Sequence, residues 1–269
     1  MKRSIFEYRT KEVAPYIDWS YYLHAWGVGT SRHSATAEEL LNDAREMLEA
    51  HSDRPCSRAV FALCDAVAKD DNIYIEGECL PLLRQQHSIE GKANLCLSDF
   101  VSPKGDCIGL FATTVCDTFG GDCNDEYRSI IARILADRLA EATASLMHRT
   151  VRTRKEFWGY APDEKLDIEE LNREEYQGIR PAVGYPSLPD QSVIFIIDRI
   201  MGLKEIGISL TPNGAMLPHS SVCGIMIAHP LSRYFAVGEI GGEQLEDYAA
   251  RRGLPAEEIK RFLARNIQE

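Results

Sequence analysis

The sequence predicts an α+β fold, an antiparallel β-sheet flanked by helices, organised as one domain over residues 1–269. Three observations point there. Segments with strand character and segments with helix character are interspersed without regular βαβ alternation, which argues against a parallel sheet. The chain has 269 residues of which 45% are hydrophobic, including three Trp and nine Phe, enough for a folded core. Neither an internal repeat, a low-complexity tract nor a flexible linker interrupts it.

The first helix is expected over residues 12–26, where Pro15 is followed by Tyr16, Trp19, Tyr22, Leu23 and Trp26. A second runs from Glu38 to Ala50, with Leu40, Leu41, Ala44, Met47 and Leu48 on one face. Ala59 to Ala66 and Ile73 to Glu76 flank Lys-Asp-Asp-Asn and read as a hairpin. Ile108 to Val115 is β-branched and aromatic, hence a strand. From about Asp125 to Arg152, Ile131, Ile134, Leu135, Leu139, Ala142 and Leu146 keep a 3.6-residue period, with Asn124 or Asp125 available as the cap. Asp137 and Glu141 are four apart on that helix, so both carboxylates share a face; a solvated acidic face paired with Arg133 or Arg138 is the plainer explanation. Asp190 to Leu203 mixes β-branched residues with a helix-start signal and is assigned as helix. Val222 to Ala228 and Tyr234 to Ile240 are expected to pair as an antiparallel hairpin through His229-Pro-Leu-Ser-Arg233. Glu243 to Arg252 is a helix stopped by Gly253, and Pro255 opens the last one.

Thirty Lys and Arg against 41 Asp and Glu give a net charge of −11, a field that disfavours nucleic acid as a partner. The absence of an 18-residue apolar run or a signal-like apolar core near the start disfavours a membrane and leads to the expectation of a cytoplasmic protein. The eight cysteines form no CxxC pair and do not cluster with histidine, so reduced, buried thiols are expected and no metal site.

The most informative stretch is Tyr176-Gln-Gly-Ile-Arg-Pro-Ala-Val-Gly-Tyr-Pro186. Pro181 and Pro186 fix φ and restrict Arg180 and Tyr185 before them; Gly178 and Gly184 permit turns that other residues resist. The segment reads as neither helix nor strand but as a stiff loop presenting a guanidinium and a phenol, an arrangement suited to a small anionic ligand. A rigid connector with Arg180 in a structural ion pair is the competing explanation.

The stretch resembles the S-adenosylmethionine-binding loop of the activation domain of cobalamin-dependent methionine synthase. The resemblance extends through Tyr16-Ile-Asp-Trp19, Leu83-Arg-Gln-Gln86, Ala93 to Val101, Asp137-Arg-Leu-Ala-Glu141 and Phe157 to Pro162. It continues in Ile206 to Thr211, Ala215-Met216, Ser221-Val-Cys-Gly224, His229-Pro230, Tyr234-Phe235 and Asp247-Tyr-Ala249. It is loose between about residues 27 and 80, where Ala62 to Ala66 lacks the family's usual Pro-Ala-Asn. Cys116 to Asn124 is shorter than usual, and Cys223 stands where serine is commoner.

The resemblance implies a single C-shaped domain and a function. In that family the positions matching Asp18, Arg180, Tyr234 and Phe235 belong to the ligand site, that matching Glu141 lies close to it, and that matching Tyr185 sits near the methyl group. Asp137, Ala182 and Gly184 complete the expected S-adenosylmethionine-binding set, with Tyr185 and Glu141 as the expected catalytic pair. Arg180 would fork onto the carboxylate, Asp18 and Glu141 would offset the ammonium or sulfonium charge, and Tyr234 and Phe235 would flank the adenine. Because successive strand residues face opposite ways, one of that pair would contact ligand by backbone. No G-x-G-x-x-G follows a strand, so an ordinary Rossmann methyltransferase is not indicated. No Asp-x-His-x-x-Gly motif is present either, so cobalamin would come on another chain: a corrinoid protein or the remainder of a methionine synthase. The implied activity is reductive methylation of cob(II)alamin to methylcobalamin, with a reduced flavodoxin-like donor supplying one electron.

Two other classes stay open: a non-catalytic S-adenosylmethionine sensor or corrinoid-capping module, and a thiol enzyme using one of the cysteines. The basic run His148, Arg149, Arg152, Arg154 and Lys155 is expected either to complement a helix C-terminus or to dock an acidic donor or the corrinoid protein.

Overall fold

Strand β2 (Pro55–Lys69) organises the molecule, because its fifteen residues pair on both edges. One edge carries β1 (Lys2–Arg9) and, further along, β3 (Asn72–Ile75); the other carries β5 (Asp106–Val115). In the computed structural model, which describes residues 1–28, 35–87, 91, 93–116, 119 and 125–267, six strands pair antiparallel in the order β4-β3-β2-β5-β8, with β1 on β2. Here β4 is Glu78–Pro81 and β8 is Ser221–Met226; β6 (Ser209–Leu210) and β7 (Met216–Leu217) form a separate two-stranded ribbon. The predicted hairpin turns at Asp70-Asp71, where Lys69 pairs with Asn72 and Asp70 adopts φ +53.

The sheet is buried on both faces, and the period-two alternation of β2 assigns its residues to them. Val60, Ala62, Cys64 and Ala66 join Ile108, Leu110, Ala112, Cys223 and Ile225 in a core closed by α6 (Ile194–Met201). Ala59 and Phe61 face the other way with Phe111, Val222 and Met226. There they meet α2 (Trp19–Ala25), α3 (Ala35–Ala50) and the long α4 (Glu126–Thr153). The inward face of α4 carries Ile131, Leu135, Leu139 and Ala142 of the 3.6-residue stripe read from sequence, with Ile134 and Leu146 only partly buried at its side and Met147 added to it. Thr113 Oγ1 on β5 donates to the carbonyl of Ala140 at 2.9 Å, tying helix to sheet. A third cluster under α7 (Gly242–Arg252) and α8 (Ala256–Phe262) is built on Leu245, Tyr248, Ile259 and Leu263. The observed class is the α+β class expected. Among the described residues no helix is long and apolar enough to cross a membrane.

Three local expectations are corrected. The helix expected over residues 12–26 breaks into α1 (Thr10–Val13), a 3₁₀ turn at Ala14–Tyr16 and α2, because the Asp18 carboxylate caps α2 by accepting from Ser20 N–H at 2.8 Å. The helix at 190–203 begins as a 3₁₀ turn capped by Asp190 before α6.

The third correction shapes the site. Tyr234 to Ile240 does not pair with β8. The edge of β8 is taken instead by the proline-rich stretch: Ile179 and Ile227 exchange N–H···O bonds at 2.9 Å, Ile225 N–H donates to Pro181 O at 3.0 Å, and Val183 N–H donates to Cys223 O at 2.8 Å. Pro181 has no N–H to return, so the pairing consists of isolated bridges rather than a continuous strand. Gly224 makes the approach possible, since a Cβ there would lie 2.1 Å from Pro181 O. The 234–240 segment is fastened elsewhere: Val237 N–H donates to Pro186 O, and Ser187 Oγ accepts from Phe235 N–H while donating to Phe235 O.

Candidate functional site

The stiff loop, the N-terminus of α2, the middle of α4 and the 234–235 segment enclose a cavity of about 640 Å³, in the size range of small-molecule sites. Asp18, Glu141, Arg180, Ala182, Tyr185, Tyr234 and Phe235 all line it. These come from four separated regions of sequence. Asp137 and Gly184 do not line it: Asp137 accepts from Ser220 Oγ at 2.6 Å, one helical turn away from Glu141, and Gly184 faces Gln191 with φ +85.

The placement of each group follows from its local structure. Asp18 is at a helix start, with one carboxylate oxygen spent on the cap. Glu141 projects from α4 toward the loop; its Oε2 is 3.8 Å from Arg180 Nη1, and its Oε1 accepts from the Tyr185 hydroxyl. Arg180 is held by its backbone, whose N–H donates to the Tyr234 hydroxyl oxygen at 2.9 Å; that hydroxyl is 3.0 Å from the Tyr176 hydroxyl.

The Arg180 side chain is only 19% exposed. Burial opposes its charge, but Tyr176, Tyr234, Glu141 and Glu174 outweigh that and keep the guanidinium more firmly protonated than usual. Its Nε is buried without a hydrogen-bond partner. A buried cation with an unused donor and a carboxylate beyond hydrogen-bonding distance has capacity for a further acceptor. Burial, then Glu141, push the Tyr185 phenol well above its ordinary range, so it stays protonated. Burial also raises the Glu174 carboxyl, with Arg180 opposing.

Sequence reasoning did not select Tyr16, Tyr21, Arg138, Asn172, Glu174 and Ser187, which also line the cavity. Tyr16 belongs to the Tyr16-Ile-Asp-Trp19 motif and Arg138 lies between Asp137 and Glu141, so proximity in sequence is a usable signal for both. Glu174 stands two residues before the loop and gave none.

The basic run near the end of α4 is not the charged surface considered above. His148 and Arg152 are buried. Arg152 is bound through Nε and Nη2 to the Glu164 carboxylate at 2.6–3.0 Å, and Arg149 donates to the Tyr16 hydroxyl at 2.9 Å. The run's first members thus supply internal polar pairs, while Arg154, beside Glu156 at 3.7 Å, and Lys155 stay exposed. Cys56, Cys64, Cys96 and Cys223 are buried, and burial pushes the Cys96 thiol up to about 11 and the Cys64 thiol up to about 12, the reverse of an activated nucleophile; Cys123 lies outside the described residues.

Residues 9–253 match the family model described as the vitamin B12 dependent methionine synthase activation domain. The chain belongs to that family. It is also similar to a solved structure titled as the MetH reactivation domain bound to AdoHcy, at 36% identity, covering 100% of this chain and 91% of that one with a TM-score of 0.89. The activation domain is part of a methyltransferase, cobalamin-dependent methionine synthase, and the curled antiparallel sheet with flanking helices is the fold of its reactivation domain.

Proposed function

We propose that this activation domain binds S-adenosylmethionine in the 640 Å³ cavity and presents its methyl group to a corrinoid held by a separate protein or by the rest of a methionine synthase, supporting reductive methylation of cob(II)alamin to methylcobalamin. The observation that carries the reading is Arg180: a buried guanidinium with an unpartnered Nε, facing Asp18 and Glu141 across a cavity that also holds aromatic rings. The donor set fits the ligand, which has one carboxylate, two cationic centres and a flat base.

In this reading Arg180 takes the carboxylate in a fork that lysine would not reproduce. Asp18 and Glu141 offset the ammonium and sulfonium charges. Tyr234 and Phe235 border the adenine, with Phe235 held at its backbone by Ser187, and Ala182 offers main-chain groups. Tyr185 lies at the rim, where its phenol steadies Glu141 and borders the transferred methyl. A sulfonium methyl is already activated, so the residues' task is alignment rather than proton transfer. The corrinoid supplies the nucleophile, and a flavodoxin-like donor supplies the electron. The AdoHcy bound to the 36%-identical relative supports the ligand class.

Titration calorimetry with S-adenosylmethionine on the wild type and on Arg180→Ala tests the site. Wild-type affinity in Arg180→Ala rejects it. Methyl transfer to a reduced corrinoid protein, measured with and without this chain, then separates a catalytic component from a sensor or capping module.

A further inference from the structure

One side chain next to Arg180 stands back from the cavity and has no direct role toward a ligand. Tyr176 does not line the cavity and is only 7% exposed. The Arg152 guanidinium lies over its ring at 4.6 Å, and the His148 ring meets it edge-on at 4.9 Å. Phenylalanine would satisfy both contacts. The hydroxyl is the unexplained part, and it sits 3.0 Å from the Tyr234 hydroxyl, which itself accepts from Arg180 N–H at 2.9 Å. The chain between Tyr176 and Arg180 has no slack: Gly178 has φ +85, and a Cβ there would lie 2.6 Å from Ile227 O. A shift of the Tyr234 hydroxyl therefore reaches Arg180 directly.

We infer that Tyr176 is a positioning residue: its hydroxyl holds that of Tyr234 where it fixes the Arg180 main chain, and so sets the guanidinium for a ligand carboxylate. The inference rests on the reading of Arg180 as the carboxylate-binding cation. It makes Tyr176 a determinant of selectivity for ligands bearing an amino-acid tail, at one remove from the ligand. The buried Arg152–Glu164 pair is the base on which that tyrosine rests.

The test compares S-adenosylhomocysteine, which has the carboxylate, with methylthioadenosine, which lacks it. Tyr176→Phe keeps the ring and removes one hydrogen bond. It is expected to weaken S-adenosylhomocysteine binding by about three- to ten-fold and to leave methylthioadenosine unchanged. Equal weakening of both ligands would mean a merely structural role, and unchanged S-adenosylhomocysteine affinity would mean no role; either overturns the inference. In an Arg180→Ala background, Tyr176→Phe is expected to add nothing, and a further loss overturns the coupling. Arg180→Ala alone isolates the underlying reading. If it binds both ligands as the wild type does, the site assignment fails with it. If it loses S-adenosylhomocysteine selectively while Tyr176→Phe does not, only the positioning inference falls.

Discussion

Two buried arginines lie close to Tyr176 and have opposite surroundings. Arg152 is 1% exposed and closed off: the Glu164 carboxylate accepts from its Nε and Nη2 within 3.0 Å. Arg180 is also largely buried, yet its nearest carboxylate is 3.8 Å away and its Nε has no partner. A closed pair serves the fold, because a buried charge must be matched where it lies. An unclosed one leaves part of its hydrogen-bonding capacity for something that enters from solvent. The difference distinguishes an arginine already matched by the fold from one with hydrogen-bonding capacity left over, in a chain where composition treats them alike.

The comparison can be broken most sharply at the closed pair. Glu164→Ala strands the Arg152 charge and is expected to lower unfolding free energy by about 3–5 kcal/mol in a urea titration; a loss below about 1 kcal/mol would show that Arg152 is not closed at all. Arg180→Ala should do the reverse. Stability stays within about 1 kcal/mol of wild type, while S-adenosylmethionine affinity falls by about 1.5–3 kcal/mol, read by calorimetry.

His148 sharpens the contrast through pH. Burial first, then Arg152 and Arg180, hold its imidazole well below the usual value, so the folded protein keeps it neutral. The unfolded chain takes up that proton below about pH 6.5. Its contribution is thus fully present above that pH and lost as pH falls below it, by up to about 1.4 kcal/mol per unit. His148→Gln is expected to flatten the acid limb of the stability profile by this slope, and an unchanged limb would mean that His148 takes up its proton as readily in the folded protein as in the unfolded chain. The smallest effect is expected at the rim: Tyr185→Phe removes the hydrogen bond to Glu141 and should change ligand affinity by less than about 1 kcal/mol, while slowing methyl transfer in the assay with a corrinoid protein.

Periodicity made much of the fold legible. The α4 stripe, the β2–β3 turn, and the C-terminal helices with Gly253 and Pro255 at their boundaries stand where the local chemistry indicates. β1 was not legible, because Lys2–Arg9 is a charged edge strand whose burial alternates only weakly and whose partner residues run from Leu63 back to Pro55, far along the chain. The pairing of β8 was misread for a related reason: Tyr234 to Ile240 has strand-like residues, but the competing loop reaches β8 only because Gly224 lacks a side chain. Seven of the nine selected ligand residues line one cavity. Asp137 shares a helix face with Glu141, yet a full turn separates them along the axis, and Ser220 meets it there. The burial of His148 and Arg152 was invisible, since a run of bases looks the same whether it meets solvent or Glu164.

Asp190 gives the C-terminal helices a share in all of this. Its buried carboxylate caps the 3₁₀ turn at Gln191–Val193, accepts from the Tyr248 hydroxyl at 2.7 Å and pairs with Arg252 at 3.3 Å. It follows the proline-rich loop by only four residues, so α7 works as an anchor post for the arm that carries Arg180. Damage to the tail of the polypeptide would then be felt as a slackened binding loop, far from where the chain was cut.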